Sequence, residues 1–63
     1  MKTKEKILWS GRFKPELFII KEDGRYHLCE EFWNDHGRHV NKIHHSISFD
    51  EAKSWAVRKD EDA

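Results

Sequence analysis

The chain has 63 residues, 38% of them charged, with twelve Lys and Arg set against twelve Asp and Glu. A chain this short forms one domain and buries only about 60% of the surface it exposes when unfolded, and its zero net charge removes the generic argument for nucleic-acid affinity. Cys29 is the only cysteine, so an internally stapled, secreted scaffold is excluded and a reducing, cytoplasmic setting is expected.

Residues 1–6 are basic like the start of a signal peptide, but only Ile7, Leu8 and Trp9 follow before Ser10 and Gly11, far short of an apolar h-region. The longest apolar run, residues 17–20, is too short to span a membrane. Hydrophobic residues are 37% of the chain, so its four Phe, three Trp and one Tyr must supply much of the core; each can bury about 150–250 Å².

In chain order, residues 1–5 are polar and expected to fray. A first strand is expected at 6–10, with Gly11 and Pro15 punctuating the link to a second at 16–21. Asp23 and Gly24 form a hairpin turn signal leading to a third strand at 25–32. Asn34, Asp35, His36 and Gly37 make a second turn cluster, after which residues 38–47 alternate well enough for a fourth strand.

Ser48 followed by Glu51 is a capping box, with Ile47 and Ala52 at the positions of a hydrophobic staple. The helix that follows carries Phe49, Ala52, Trp55 and Ala56 on one stripe. Acids at 60–62 oppose the helix dipole, so fraying is expected near Lys59, with residues 60–63 as a solubilising tail. The fold expected is α+β: one domain over 1–63, a small antiparallel sheet of three or four strands with one C-terminal helix packed on one face.

Two registers fit the first hairpin. A two-residue turn on Asp23 and Gly24 pairs Ile19 with Leu28 and Ile20 with His27. A three-residue loop with Gly24 as the bulge pairs Ile20 with Tyr26 and Phe18 with Leu28 and gives the cleaner apolar face. In that second register Phe18, Ile20, Tyr26 and Leu28 meet the helix, and Leu17, Ile19, His27 and Cys29 form an opposite face too apolar for plain solvent. Either a partner or a second copy covers that face, or the N-terminal segment folds across it.

His27, His36, His39, His44 and His45 invite a metal reading, with Cys29 beside His27. Their spacing matches no zinc pattern, so no metal and no cofactor are expected. Cys29 with His27 is the only thiol and base pair, without an oxyanion hole, so no catalytic residue is assigned and Cys29 reads as a small buried hydrophobe. Trp9 and Trp55 are expected in the core, and Trp33 at a strand end is expected exposed. Trp and Arg dominate binding energy at interfaces, which makes Trp33, Arg38, Arg12, Leu17 and Ile19 the candidate partner-binding residues.

The stretches Gly24-Arg25-Tyr26-His27-Leu28, Gly37-Arg38 and Ser46-Ile47-Ser48-Phe49-Asp50-Glu51-Ala52-Lys53-Ser54-Trp55 resemble the cadence of the three-stranded-sheet-plus-helix DNA-binding domains of phage-type integrases. The resemblance covers about two-thirds of the chain. It implies a sheet laid into a DNA groove, with Arg25, Arg38 and Lys42 as base or phosphate contacts. Balanced charge favours a protein partner instead. The function expected is a small non-catalytic intracellular binding protein, an inhibitor or regulator of the phage or mobile-element kind, that uses its sheet face and aromatic and Arg anchors. The alternative is a DNA- or RNA-binding module using the same sheet.

Overall fold

The computed structural model describes residues 6–62. Strands β1 (Ile7–Ser10), β2 (Leu17–Glu22), β3 (Arg25–Asn34) and β4 (Gly37–Ser46) form one antiparallel sheet in the order β1-β2-β3-β4. Helix α1 (Phe49–Glu61) packs on one face of that sheet. This is the α+β fold expected, with four strands. The expected fraying of residues 1–5 lies outside the described residues.

The first hairpin takes the two-residue turn. Asp23 (φ 54°) and Gly24 (φ 75°) are both left-handed, the pair of conformations that such a turn requires. Asp accepts the strained position because its short polar side chain tolerates it. Glu22 therefore sits opposite Arg25, Ile19 opposite Leu28 and Ile20 opposite His27, and the three-residue loop does not form.

A one-residue change of register turns over every side chain of a strand. Leu17 and Ile19, expected on the open face, lie instead under α1 with Leu28, Ala52 and Ala56, and Trp9, Tyr26 and Phe49 pack around them. Phe18 and Ile20, expected beneath the helix, face the other way with Cys29, and Val40 packs against them. Leu17 and Ile19 have no exposed surface and cannot serve as partner contacts.

The face away from α1 is closed as well. Phe18 is 5% exposed, Ile20 3% and Cys29 0%, so β2 is buried on both sides at residues 17–20. Charged side chains reach across this face. Lys42 on β4 donates to Glu22 on β2, spanning β3, and His27 Nε2 lies 4.0 Å from the same carboxylate. Arg38 donates to Glu31. The alkyl stems of such side chains cover apolar surface while their charges stay in water. The hydrogen bond and charge of Lys42 hold the Glu22 carboxyl below its ordinary range. Whether the N-terminal segment also crosses this face depends on residues 1–5, outside the described residues.

Ser48 caps α1 as expected: its Oγ accepts from Glu51 N–H at 3.4 Å, and its carbonyl accepts from Ala52 N–H at 3.1 Å. The other half of the box goes elsewhere. The buried Ser46 hydroxyl donates to Glu51 and accepts from Ser48 N–H at 3.1 Å, so Ser46 takes the place expected of the Glu51 side chain. Ile47 is 79% exposed, and no staple forms. Acids in the first turn, Asp50 and Glu51, and bases in the last, Arg58 and Lys59, both suit the helix dipole.

The far end of α1 differs from the expected tail. The helix continues through Glu61, and Asp60 is 4% exposed. Ala52, Ala56 and Asp60, four apart, are the buried line of the helix. The Asp60 carboxylate accepts three backbone N–H groups from the loop of residues 11–15: Lys14 at 2.6 Å, Arg12 at 3.0 Å and Phe13 at 3.0 Å. Desolvation pushes the carboxyl up, but the three N–H donors and the charge of Lys14 together outweigh it and hold Asp60 below its ordinary value. Gly11 is fitted to this corner. A Cβ there would lie 2.0 Å from the Lys14 carbonyl oxygen and 2.7 Å from Asp60 Oδ1.

Candidate functional site

Large apolar side chains left exposed lie at the β1 edge (Ile7, Leu8), in the loop after it (Phe13), at Ile47 before α1, and on β3, β4 and α1 (Phe32, Trp33, Ile43 and Trp55). At the hairpin end, Asp35 and His36 form the turn, Asn34 pairs with Gly37, and Gly37 takes φ 106°. Asn34 Oδ1 accepts from His36 N–H at 2.7 Å and meets His39 Nε2 at 3.0 Å. These local bonds order the tip.

Just inside the turn, Trp33 lies directly opposite Arg38 on one face, and Phe32 opposite His39 on the other. The Phe32 and His39 rings stack at 5.1 Å and 17°. Trp33 is 69% exposed, as expected, and Phe32 39%. Arg38, the cross-strand partner of Trp33, forms an ion pair with Glu31 on the same face. An exposed pair of this kind adds only about 0–1 kcal/mol to stability, so it positions the arginine more than it holds the fold.

Next to the hairpin, an open cleft of about 690 Å³ runs between β4 and α1, lined by Leu28, Ile43, His44, Trp55, Arg58 and Lys59 among others. Ile43 is there because of a bulge. Cys29 is opposite Lys42 while Leu28 is opposite His44, which leaves Ile43 unmatched and 39% exposed. Trp55, expected in the core, is 50% exposed. Ala52 and Ala56 are the helix residues that take the places against Leu17, Ile19 and Leu28. Trp55 instead leans toward β4, its ring 4.8 Å from that of His44, with the Arg58 guanidinium 5.8 Å from the indole. His44 Nε2 is buried there without a hydrogen-bond partner among the described residues.

The structure thus brings Trp33 and Arg38 together and separates them from the other candidates. Arg12 sits beside Phe13 in the loop between β1 and β2, with its guanidinium 5.7 Å from that ring. Strand alternation places Arg25, Arg38 and Lys42 on the face away from the helix, but Arg38 and Lys42 are engaged with Glu31 and Glu22. The histidines divide between faces. His27 and His45 pair across strands at 6.1 Å on the side away from α1, whereas His39 and His44 point to the helix side. Among the described residues no group of three or more His, Cys, Asp or Glu could hold a metal ion. Sequence reasoning missed Trp55 and Ile43 as surface residues and Asp60 as a buried one. The spacing of Asp60 from Ala52 and Ala56 was the available signal.

No family model matches the chain, and neither a curated protein nor a solved structure matches it. Among the described residues no helix is long and apolar enough to cross a membrane.

Proposed function

We propose that this chain is a small non-catalytic binding protein, an inhibitor or regulator that docks on a larger protein through the β3 and β4 side. The observation that carries the reading is the exposure of the tryptophans. A protein with so small a core leaves Trp33 69% and Trp55 50% exposed, although burying them would add more apolar contact than any other side chains it has. Exposed Trp beside Arg is the composition of an interface hot spot. A protein partner is favoured over nucleic acid because Arg38 and Lys42, which the integrase resemblance would aim at phosphates, are already in ion pairs with Glu31 and Glu22.

The test is retention of a protein from host lysate on immobilised chain with nuclease treatment in parallel, beside oligonucleotide affinity across a salt series. Nuclease-resistant retention lost in Trp33→Ala supports the reading. Tight oligonucleotide binding with a log-log salt slope steeper than about −3, lost in Arg38→Ala, would replace it with nucleic-acid binding.

A further inference from the structure

The loop of residues 11–15 is fixed to an unusual degree for its length. The Gly11 N–H donates to the Leu17 carbonyl at 2.8 Å and the Leu17 N–H to the Lys14 carbonyl at 2.9 Å. The N–H groups of Arg12, Phe13 and Lys14 all end on Asp60, and Pro15 has a fixed φ and no N–H. Lys14 Nζ adds a bond to the Asp62 carbonyl at 2.6 Å. Asp60 itself stands at the helix C-terminus, where the dipole disfavours a carboxylate.

All this holds backbone, and nothing in it requires particular side chains at 12 and 13. Any residues there would satisfy Asp60 through their N–H groups. Yet the loop presents Phe13, 66% exposed, and an exposed Arg12 that stacks toward its ring and makes no ion pair among the described residues. An apolar ring with a cation at its rim, on a backbone already ordered, binds without the entropy of ordering a loop.

We propose that residues 11–15 form a second, pre-organised docking element that inserts Phe13 into an apolar pocket bordered by carboxylates on a partner protein, with Arg12 answering the carboxylates. This rests on the reading of the chain as a protein-binding module and adds a contact that reading does not contain. A loop that serves only to anchor the helix would tolerate loss of both side chains without consequence for binding.

The experiment places the photoreactive residue p-benzoylphenylalanine at Phe13, at Trp33 or at the exposed Lys53 of the full chain, in nuclease-treated host lysate. From position 13 the expected result is a protein adduct whose yield falls roughly tenfold with Arg12→Ala and also falls with Asp60→Asn. Mass spectrometry should place the adduct on a partner peptide in which Asp or Glu flanks apolar residues. Arg12 is exposed, so Arg12→Ala keeps the test valid even where Asp60→Asn unfolds the chain. The proposal is overturned by no adduct from position 13, by an equal one from position 53, or by indifference to Arg12→Ala. A folded Asp60→Asn chain with undiminished yield overturns the pre-organisation. An adduct from position 33 without one from 13 sinks the loop alone, and none from either sinks the protein-binding reading too.

Discussion

The loop of residues 11–15 and the end of the hairpin between β3 and β4 each present an aromatic ring beside an arginine, Phe13 with Arg12 and Trp33 with Arg38. They are held by opposite means. The hairpin end is local: cross-strand register, an Asn34 side chain two residues from the N–H it accepts, and the Glu31 and Arg38 pair seven apart. The loop depends on a carboxylate 46 to 48 residues away. A perturbation at the end of the helix that leaves the sheet folded should therefore loosen the loop while leaving the hairpin tip ordered.

The largest effect should come from Leu28→Ala, which empties the centre shared by sheet and helix. A loss of about 2–5 kcal/mol is expected in urea denaturation, enough to unfold much of a domain this small, and both regions should lose order together. A hairpin tip that survived alone would sharpen the contrast. Gly11→Ala should cost about 1–3 kcal/mol, because the new Cβ overlaps the Lys14 carbonyl. Amide exchange should then quicken at Arg12, Phe13 and Lys14 while amides of residues 32–39 stay as they were; uniform quickening would end the distinction.

Acid provides the next test. The Asp60 carboxyl is held below its ordinary value of 3.8 in the folded chain, so its stabilisation is complete above that value and is lost as pH falls from there through the folded value. Asp60→Asn should flatten the acid limb of stability below about pH 4 and release the loop amides. Glu22 titrates in the same direction through Lys42, so Glu22→Gln is the control that should leave the loop amides protected. An unchanged acid limb in Asp60→Asn would show that the loop is held by something else. Ser48→Ala should cost about 1 kcal/mol through the lost cap, read from the denaturation midpoint. Trp33→Ala should change stability by less than about 0.5 kcal/mol while abolishing retention of the partner; a large loss of stability would make that indole a structural residue.

Much of the architecture was legible because it is set by near neighbours. Asp23 and Gly24 announce a turn, Asn34 to Gly37 another, and Ser48 a helix start, since left-handed backbone and unsatisfied N–H groups select those residue types wherever they occur. The exposure of Trp33 followed from its place beside a turn, and its meeting with Arg38 followed from the hairpin that joins them. The choice between two registers on one turn was not local. Each gave β2 a plausible face because residues 17–20 are apolar on both sides, and only a sheet buried on both faces can use such a run.

Packing between distant elements decided the rest. Periodicity placed Trp55 on the helix stripe, but Ala52 and Ala56 are what meets the sheet there, and the indole turns to His44 on β4 instead. The acids near the end read as a solvated tail by composition. Asp60 became a buried clamp only because helix length and sheet order bring it to three N–H groups of a loop nearly fifty residues earlier. Residue types and short spacings determine turns, caps and strands, since their partners are built in. Which face is covered, and which charge is buried, depends on surfaces that exist only after the chain has folded.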